Sequence, residues 1–172
     1  PAAAADGLKD ALAGAKPAAE PAALQAALDK LRTNMEAKAK TAADKNSKDG
    51  AAFRAEYAKT KGVKKTESGM LYEVLTAGTG AKPKATDKVK VNYRGTLPNG
   101  TEFDSSYKRG QAVDFQVNQI IPGWQEALVM MPKGSKWKVV LPPELAYGDQ
   151  GAGAAIGPNQ TLVFEIELLD IA

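Results

Sequence analysis

Two patterns of apolar and polar positions divide the chain. In residues 1–62 the large apolar side chains are sparse and fall at helical spacing: Leu24, Leu28, Leu31 and Met35 recur every three or four residues and make one stripe. After Gly62 the apolar residues alternate instead. Met70, Tyr72 and Val74 do so, then Val89, Val91 and Tyr93, then Trp137, Val139 and Leu141, and finally Leu162, Phe164, Ile166 and Leu168. Period-two alternation predicts strands with one buried and one wet face, which is the mark of an antiparallel sheet. Asn99-Gly100 lies between two such runs and predicts a tight hairpin, because both residues accept positive φ cheaply. One stretch, Gly123 to Met131, returns to helical spacing with Trp124, Leu128 and Met131 on a single side. The reading is an α+β chain: a curved antiparallel sheet around one short helix in residues 63–172, preceded by an all-α arm with a long helix in residues 1–62.

The arm is rich in alanine and nearly free of β-branched residues, so propensity alone favours helix. Asp6 is placed to cap a short helix carrying Leu8 and Leu12, with Gly14 and Pro17 as a stop, and a second helix begins near Pro21. Charged residues from Glu36 to Asp49 keep the middle turns wet until Phe53 and Tyr57. A helix running on to Lys59 would span roughly 55 to 60 Å, enough to hold two bodies apart. Gly50, costing up to about 1 kcal/mol in a helix interior, marks a candidate break. The stripe from Leu24 to Met35 has two readings: packing on Leu8 and Leu12 as an αα-hairpin, or pairing with a second copy of the chain.

Composition removes several kinds of chemistry. Among 172 residues there is neither Cys nor His, so disulfides, thiolate catalysis, Ser-His-Asp arrangements and the commonest zinc ligation are all unavailable. The residues call for no cofactor and no metal. With 23 basic against 20 acidic residues the chain carries no nucleic-acid signature, and the small excess of base falls on the arm. No stretch approaches the roughly 20 apolar residues of a membrane span. Pro1 in place of an initiator Met predicts a processed chain, with any export signal upstream of it.

What remains is a binding chemistry. Tyr93, Phe103 and Asp104 surround the Asn99-Gly100 turn, and Pro122-Gly123-Trp124 follows. Aromatics with one carboxylate and no nucleophile suit gripping and twisting a peptide bond better than breaking one.

The blocks Val91-Asn-Tyr93-Arg-Gly95-Thr-Leu97, Phe103-Asp104-Ser105-Ser106, Ile120-Ile121-Pro-Gly123-Trp124, Leu145-Ala146-Tyr147-Gly148 and Thr161-Leu-Val-Phe164 resemble, in order and spacing, the FKBP-type peptidyl-prolyl isomerases. The likeness covers roughly residues 68–170. The arm resembles that of the bacterial Mip-like branch, whose members are exported to the periplasm or outer membrane and often dimerise through it.

The resemblance implies catalytic roles for Tyr93, Phe103, Asp104, Trp124, Tyr147 and Phe164, with Trp124 as the floor of a pocket. It implies substrate contacts for Val113, Ile120, Ile121, Ala146 and Ile156. Val113 stands where many members carry a Phe, and Ala152 and Ala155 lie in a Gly/Ala-rich loop from Gly148 to Gly157, so a wider, more mobile mouth is expected. The partners implied are proline-containing polypeptides and macrolide inhibitors of the family, with a homodimer through the arm. The rival reading is a peptide-binding chaperone module in which turnover is incidental.

Overall fold

The computed structural model describes residues 21–172; the short helix expected around Leu8 and Leu12 lies outside them. Helix α1 runs from Pro21 to Tyr57, 37 residues, and passes through Gly50 without a break. Of the described residues, those from Pro21 to Thr41 fall in one unit and Ala42 to Ala172 form another. In the first unit Leu24, Leu28, Leu31 and Met35 are all more than half exposed, at 51 to 62 %.

The second unit takes in the last turns of α1 and a seven-stranded, wholly antiparallel sheet. Its strands are β1 (Val63–Lys65), β2 (Leu71–Thr76), β3 (Lys88–Thr96), β4 (Glu102–Ser105), β5 (Val113–Gln116), β6 (Lys136–Leu141) and β7 (Leu162–Ile171). The order is β1-β2-β6-β7-β3-β4, with β5 also paired to β3. The four-residue helix α2 (Ser106–Arg109) follows β4, and α3 (Pro122–Met130) lies between β5 and β6. Trp124, Ala127 and Leu128 of α3 are buried against Val89, Val91, Tyr93, Val139, Leu141, Phe164 and Ile166, one face of the alternating strands. α2 was not expected, since four residues carry no readable periodicity.

The hairpin after β3 is tight, but by another route than the expected pair of positive φ values. Gly100 N–H donates to Leu97 O at 2.9 Å and only Gly100, at φ 89°, is left-handed. Asn99 instead turns its side chain inward, its Oδ1 accepting the Thr101 N–H at 2.9 Å.

The opposite face of the sheet is not wholly wet either. Leu71, Val140 and Val163 form a second apolar cluster under Phe53 and Tyr57 of α1. Polar clasps hold the same stretch of helix: Asn46 Nδ2 donates to Pro158 O at 2.9 Å, Arg54 to the Thr161 hydroxyl, and Tyr57 Oη to Glu73 Oε2 at 2.9 Å. Gly50 is the one buried residue of the described helix, and a Cβ there would lie 3.0 Å from Thr161 Cβ. The glycine that argued for a break is thus the point of closest approach. Gly50→Ala is expected to lower stability by about 1 to 2 kcal/mol, although alanine favours helix by about 1 kcal/mol. Urea unfolding checks this; a gain in stability would mean the contact is loose.

Candidate active site

A cavity of about 370 Å³ opens where β3, β4, β7 and the start of α3 converge, lined by Tyr93, Phe103, Asp104, Phe115, Gln119, Ile120, Ile121, Trp124, Tyr147 and Phe164. Alternation along β3 turns Val89, Val91, Tyr93 and Gly95 to the same side. Gly95 leaves room for the walls, because a Cβ there would sit 2.6 Å from Phe103 Cζ and 2.9 Å from Phe164 Cε1. Pro122 at the start of α3 and the burial of Gly123 seat Trp124 in the first turn.

Trp124 is 5 % exposed, so its ring forms a floor and little of it meets solvent. Tyr93, Phe115 and Phe164 stand edge-on to it at 5.1, 5.5 and 5.3 Å between centroids, and Phe103 meets Phe164 at 90°. Edge-to-face contacts set the positive rim of one ring on the negative face of another, which holds the box rigid. The Trp124 indole N–H has no partner among the described residues. Tyr147 is 40 % exposed at the mouth.

The carboxylate of Asp104 is held from three sides. Tyr93 Oη donates to Oδ2 at 2.5 Å, Arg109 Nη1 to Oδ1 at 2.5 Å, and the Ser105 N–H to Oδ1 at 2.8 Å. Arg109 Nη2 also donates to Tyr93 Oη at 2.7 Å, and its guanidinium lies 5.4 Å from the Tyr93 ring centroid. Burial opposes the charge on Asp104, but the hydrogen bonds from Tyr93 and Arg109 together outweigh it and draw the pKa below the ordinary carboxylate value. Burial, and then the bond to Asp104, push the Tyr93 phenol up, so it stays a donor at neutral pH.

A pH prediction follows from these directions and from the absence of His. The rate of the X-Pro isomerisation that the resemblance implies is expected to be flat between about pH 6 and 8. A group with a depressed folded pKa stabilises the fold above its unfolded pKa, and that contribution is lost as pH falls through the folded value. The Asp104 contribution to stability should therefore be lost only in acid, as pH falls below the usual carboxylate range. A bell-shaped profile centred near neutrality in a rate assay would contradict the flat rate.

All six residues expected to be catalytic, with Ile120 and Ile121, line the one cavity. Val113, Ala146 and Ile156 do not. Val113 is half-buried on β5 opposite Val91, Ala146 closes the turn Pro143–Leu145, and Ile156 is 7 % exposed within the core. The Gly/Ala-rich loop is also knitted to itself. Ala152 and Ile156 exchange backbone hydrogen bonds at 2.9 and 3.1 Å, Gly151 N–H donates to Tyr147 O, and Asn159 N–H donates to Gly148 O.

Phe115, Gln119 and Arg109 were missed. Phe115 shares a face of β5 with Val113, and that alternation was available as a signal. Arg109 follows Asp104 by five residues across an unrecognised helix.

A second cleft of equal volume, about 370 Å³, runs beside α1 along Ala51, Arg54, Ser68 and Glu144. It has no aromatic wall, and Arg54 is already committed to Thr161.

Comparison with known proteins gives the family. The family described as FKBP-type peptidyl-prolyl cis-trans isomerase matches residues 79–169, and a domain amino terminal to FKBP-type peptidyl-prolyl isomerase matches residues 1–74. A probable FKBP-type isomerase of Haemophilus influenzae is 48% identical over 96% of this chain and 70% of its own length. The FKBP-type 22 kDa isomerase of Escherichia coli is 46% identical over 99% of this chain and 83% of its own. The chain spans only 53% of the FkpA of Aeromonas hydrophila, at 54% identity. The crystal structure of FkpA from Escherichia coli superposes with a TM-score of 0.81 at 42% identity, covering 96% of this chain and 79% of that one. The chain belongs to the FKBP-type peptidyl-prolyl cis-trans isomerases.

Proposed function

We propose that this isomerase turns X-Pro bonds of polypeptide substrates by seating the proline ring on Trp124 inside the aromatic box and favouring the twisted amide. Amide rotation costs about 18 to 20 kcal/mol because it breaks C–N resonance, while the two X-Pro ground states differ by only about 0.5 to 1 kcal/mol. The obstacle is kinetic, and no covalent intermediate is needed. In the twisted form the nitrogen is more pyramidal and the carbonyl less polar, so a dry apolar cavity destabilises the planar, hydrated form more than the twisted one.

The observation that carries this reading is the indole floor with three rings edge-on around it and no nucleophile beside them. In it Tyr147 donates its hydroxyl to a substrate main-chain carbonyl at the mouth, Ile120 and Ile121 contact the residue before proline, and Asp104 fixes Tyr93. A protease-coupled assay on several X-Pro peptides tests it: Tyr147→Phe is expected to lower the rate about tenfold, the loss of roughly 1.4 kcal/mol of transition-state binding. A full rate in that variant would remove Tyr147 from the mechanism.

The exposed stripe Leu24, Leu28, Leu31 and Met35 supports a homodimer through the arm. Export to the periplasm or outer surface accords with the name of a 41% identical relative, outer membrane protein MIP of Legionella longbeachae. Family macrolides are the inhibitors proposed for the aromatic box. If Asp104→Leu abolishes isomerisation but leaves suppression of aggregation intact, a chaperone activity exists beside the enzymatic one.

A further inference from the structure

A second aromatic cavity, of about 320 Å³, lies at the other end of α3 beside the edge of the sheet. Trp137 of β6 and Tyr72 of β2 stack at 4.6 Å with planes 10° apart, and Val74, Met130 and Pro132 complete the walls. Trp137 is 6 % exposed, and its indole N–H has no partner among the described residues, the same condition as at the floor of the isomerase cavity.

Two further features say what fits. The β1 ladder on β2 stops at Val63 opposite Glu73, so among the described residues no strand lies beside Val74 to Thr76 on the side away from β6. Val74 and Leu75 on that open edge are 41 and 45 % exposed. An unpaired edge with exposed apolar side chains is a template for an added strand, whose alternate side chains enter the neighbouring pocket. The only charged residues lining the cavity are Lys64 and Lys82, and neither makes an ion pair among the described residues.

We propose that this edge groove is a proline-independent docking site for an extended polypeptide segment whose cavity-facing alternate positions carry an apolar or aromatic side chain flanked two residues away by carboxylates. The segment adds beside Val74 to Thr76, places an apolar side chain against the Tyr72 and Trp137 stack, and sets its acidic groups near Lys64 and Lys82.

The test uses a labelled, proline-free peptide with Glu, Phe and Glu at successive alternate positions and Thr between them, so that all three side chains face the cavity, read by fluorescence anisotropy against the full chain. Binding is expected to weaken about tenfold in the Lys64→Glu/Lys82→Glu variant and to be reduced also in Val74→Asp. Both changes are at exposed positions, so the isomerisation rate should be unchanged, which also reports that the variants are folded. A peptide with Lys in place of Glu should gain affinity for the doubly reversed variant. A saturating neutral X-Pro tetrapeptide should not displace the acidic probe. The proposal is overturned if the chain does not bind that probe, if the charge-reversed variant binds it equally well, or if the X-Pro tetrapeptide competes it away.

Discussion

Trp124→Ala is expected to cost about 3 to 5 kcal/mol of stability and to abolish isomerisation, the largest single effect in the molecule. The indole is at once the floor of the cavity and the hub on which Tyr93, Phe115 and Phe164 stand edge-on. Its removal deletes three aromatic contacts and leaves a void between α3 and the sheet. Since domains of this kind have only about 5 to 15 kcal/mol in total, loss of activity in that variant would not separate folding from chemistry. Trp124→Leu does. It keeps an apolar side chain in the first turn of α3, so urea unfolding should show a smaller loss. It removes the flat face on which a proline ring rests, so the rate should still fall about tenfold or more. A Leu variant with an undiminished rate would show that the floor need only be apolar.

The strands were legible because alternation reports burial directly. Val89, Val91 and Tyr93, or Leu162, Phe164, Ile166 and Leu168, face one core in the structure as they do in the period-two pattern. Less legible was anything that depends on a partner far along the chain. Gly50 reads as a helix breaker until Thr161 is set against it, and Leu71, Val140 and Val163 read as strays on a wet face until Phe53 and Tyr57 cover them.

The site divides in the same way. Tyr93, Trp124 and Phe164 sit on periodic elements, which marked them as buried, but their role at a site, with that of Phe103 and Tyr147, came from the family resemblance, and Tyr147 lies outside every helix and strand. The attention given to Val113 missed that Phe115, one alternation further, is opposite Val89 and close enough to reach both Tyr93 and Trp124. Arg109 could not be placed from spacing, because its reach to Asp104 and Tyr93 depends on a four-residue helix with no pattern of its own.

Asp104→Leu is expected to lower isomerisation about tenfold or more with little loss of stability, and Asp104→Asn to keep the rate within about threefold of the original. The difference rests on what the carboxylate already does. Its oxygens accept from Tyr93, Arg109 and the Ser105 N–H, so Asp104 holds the Tyr93 ring in the wall more than it offers a free charge to the substrate. Leucine removes every acceptor and frees Tyr93 to turn, while Arg109, whose side chain is 43 % exposed, can be resolvated at small cost. Asparagine keeps one oxygen for the Tyr93 hydroxyl in a side chain of the same shape and loses the charge. Rates for the two variants, measured beside their urea midpoints, therefore distinguish orientation from electrostatics. If Asp104→Asn falls as far as Asp104→Leu, the negative charge itself acts on the twisting amide, and fixing Tyr93 is secondary.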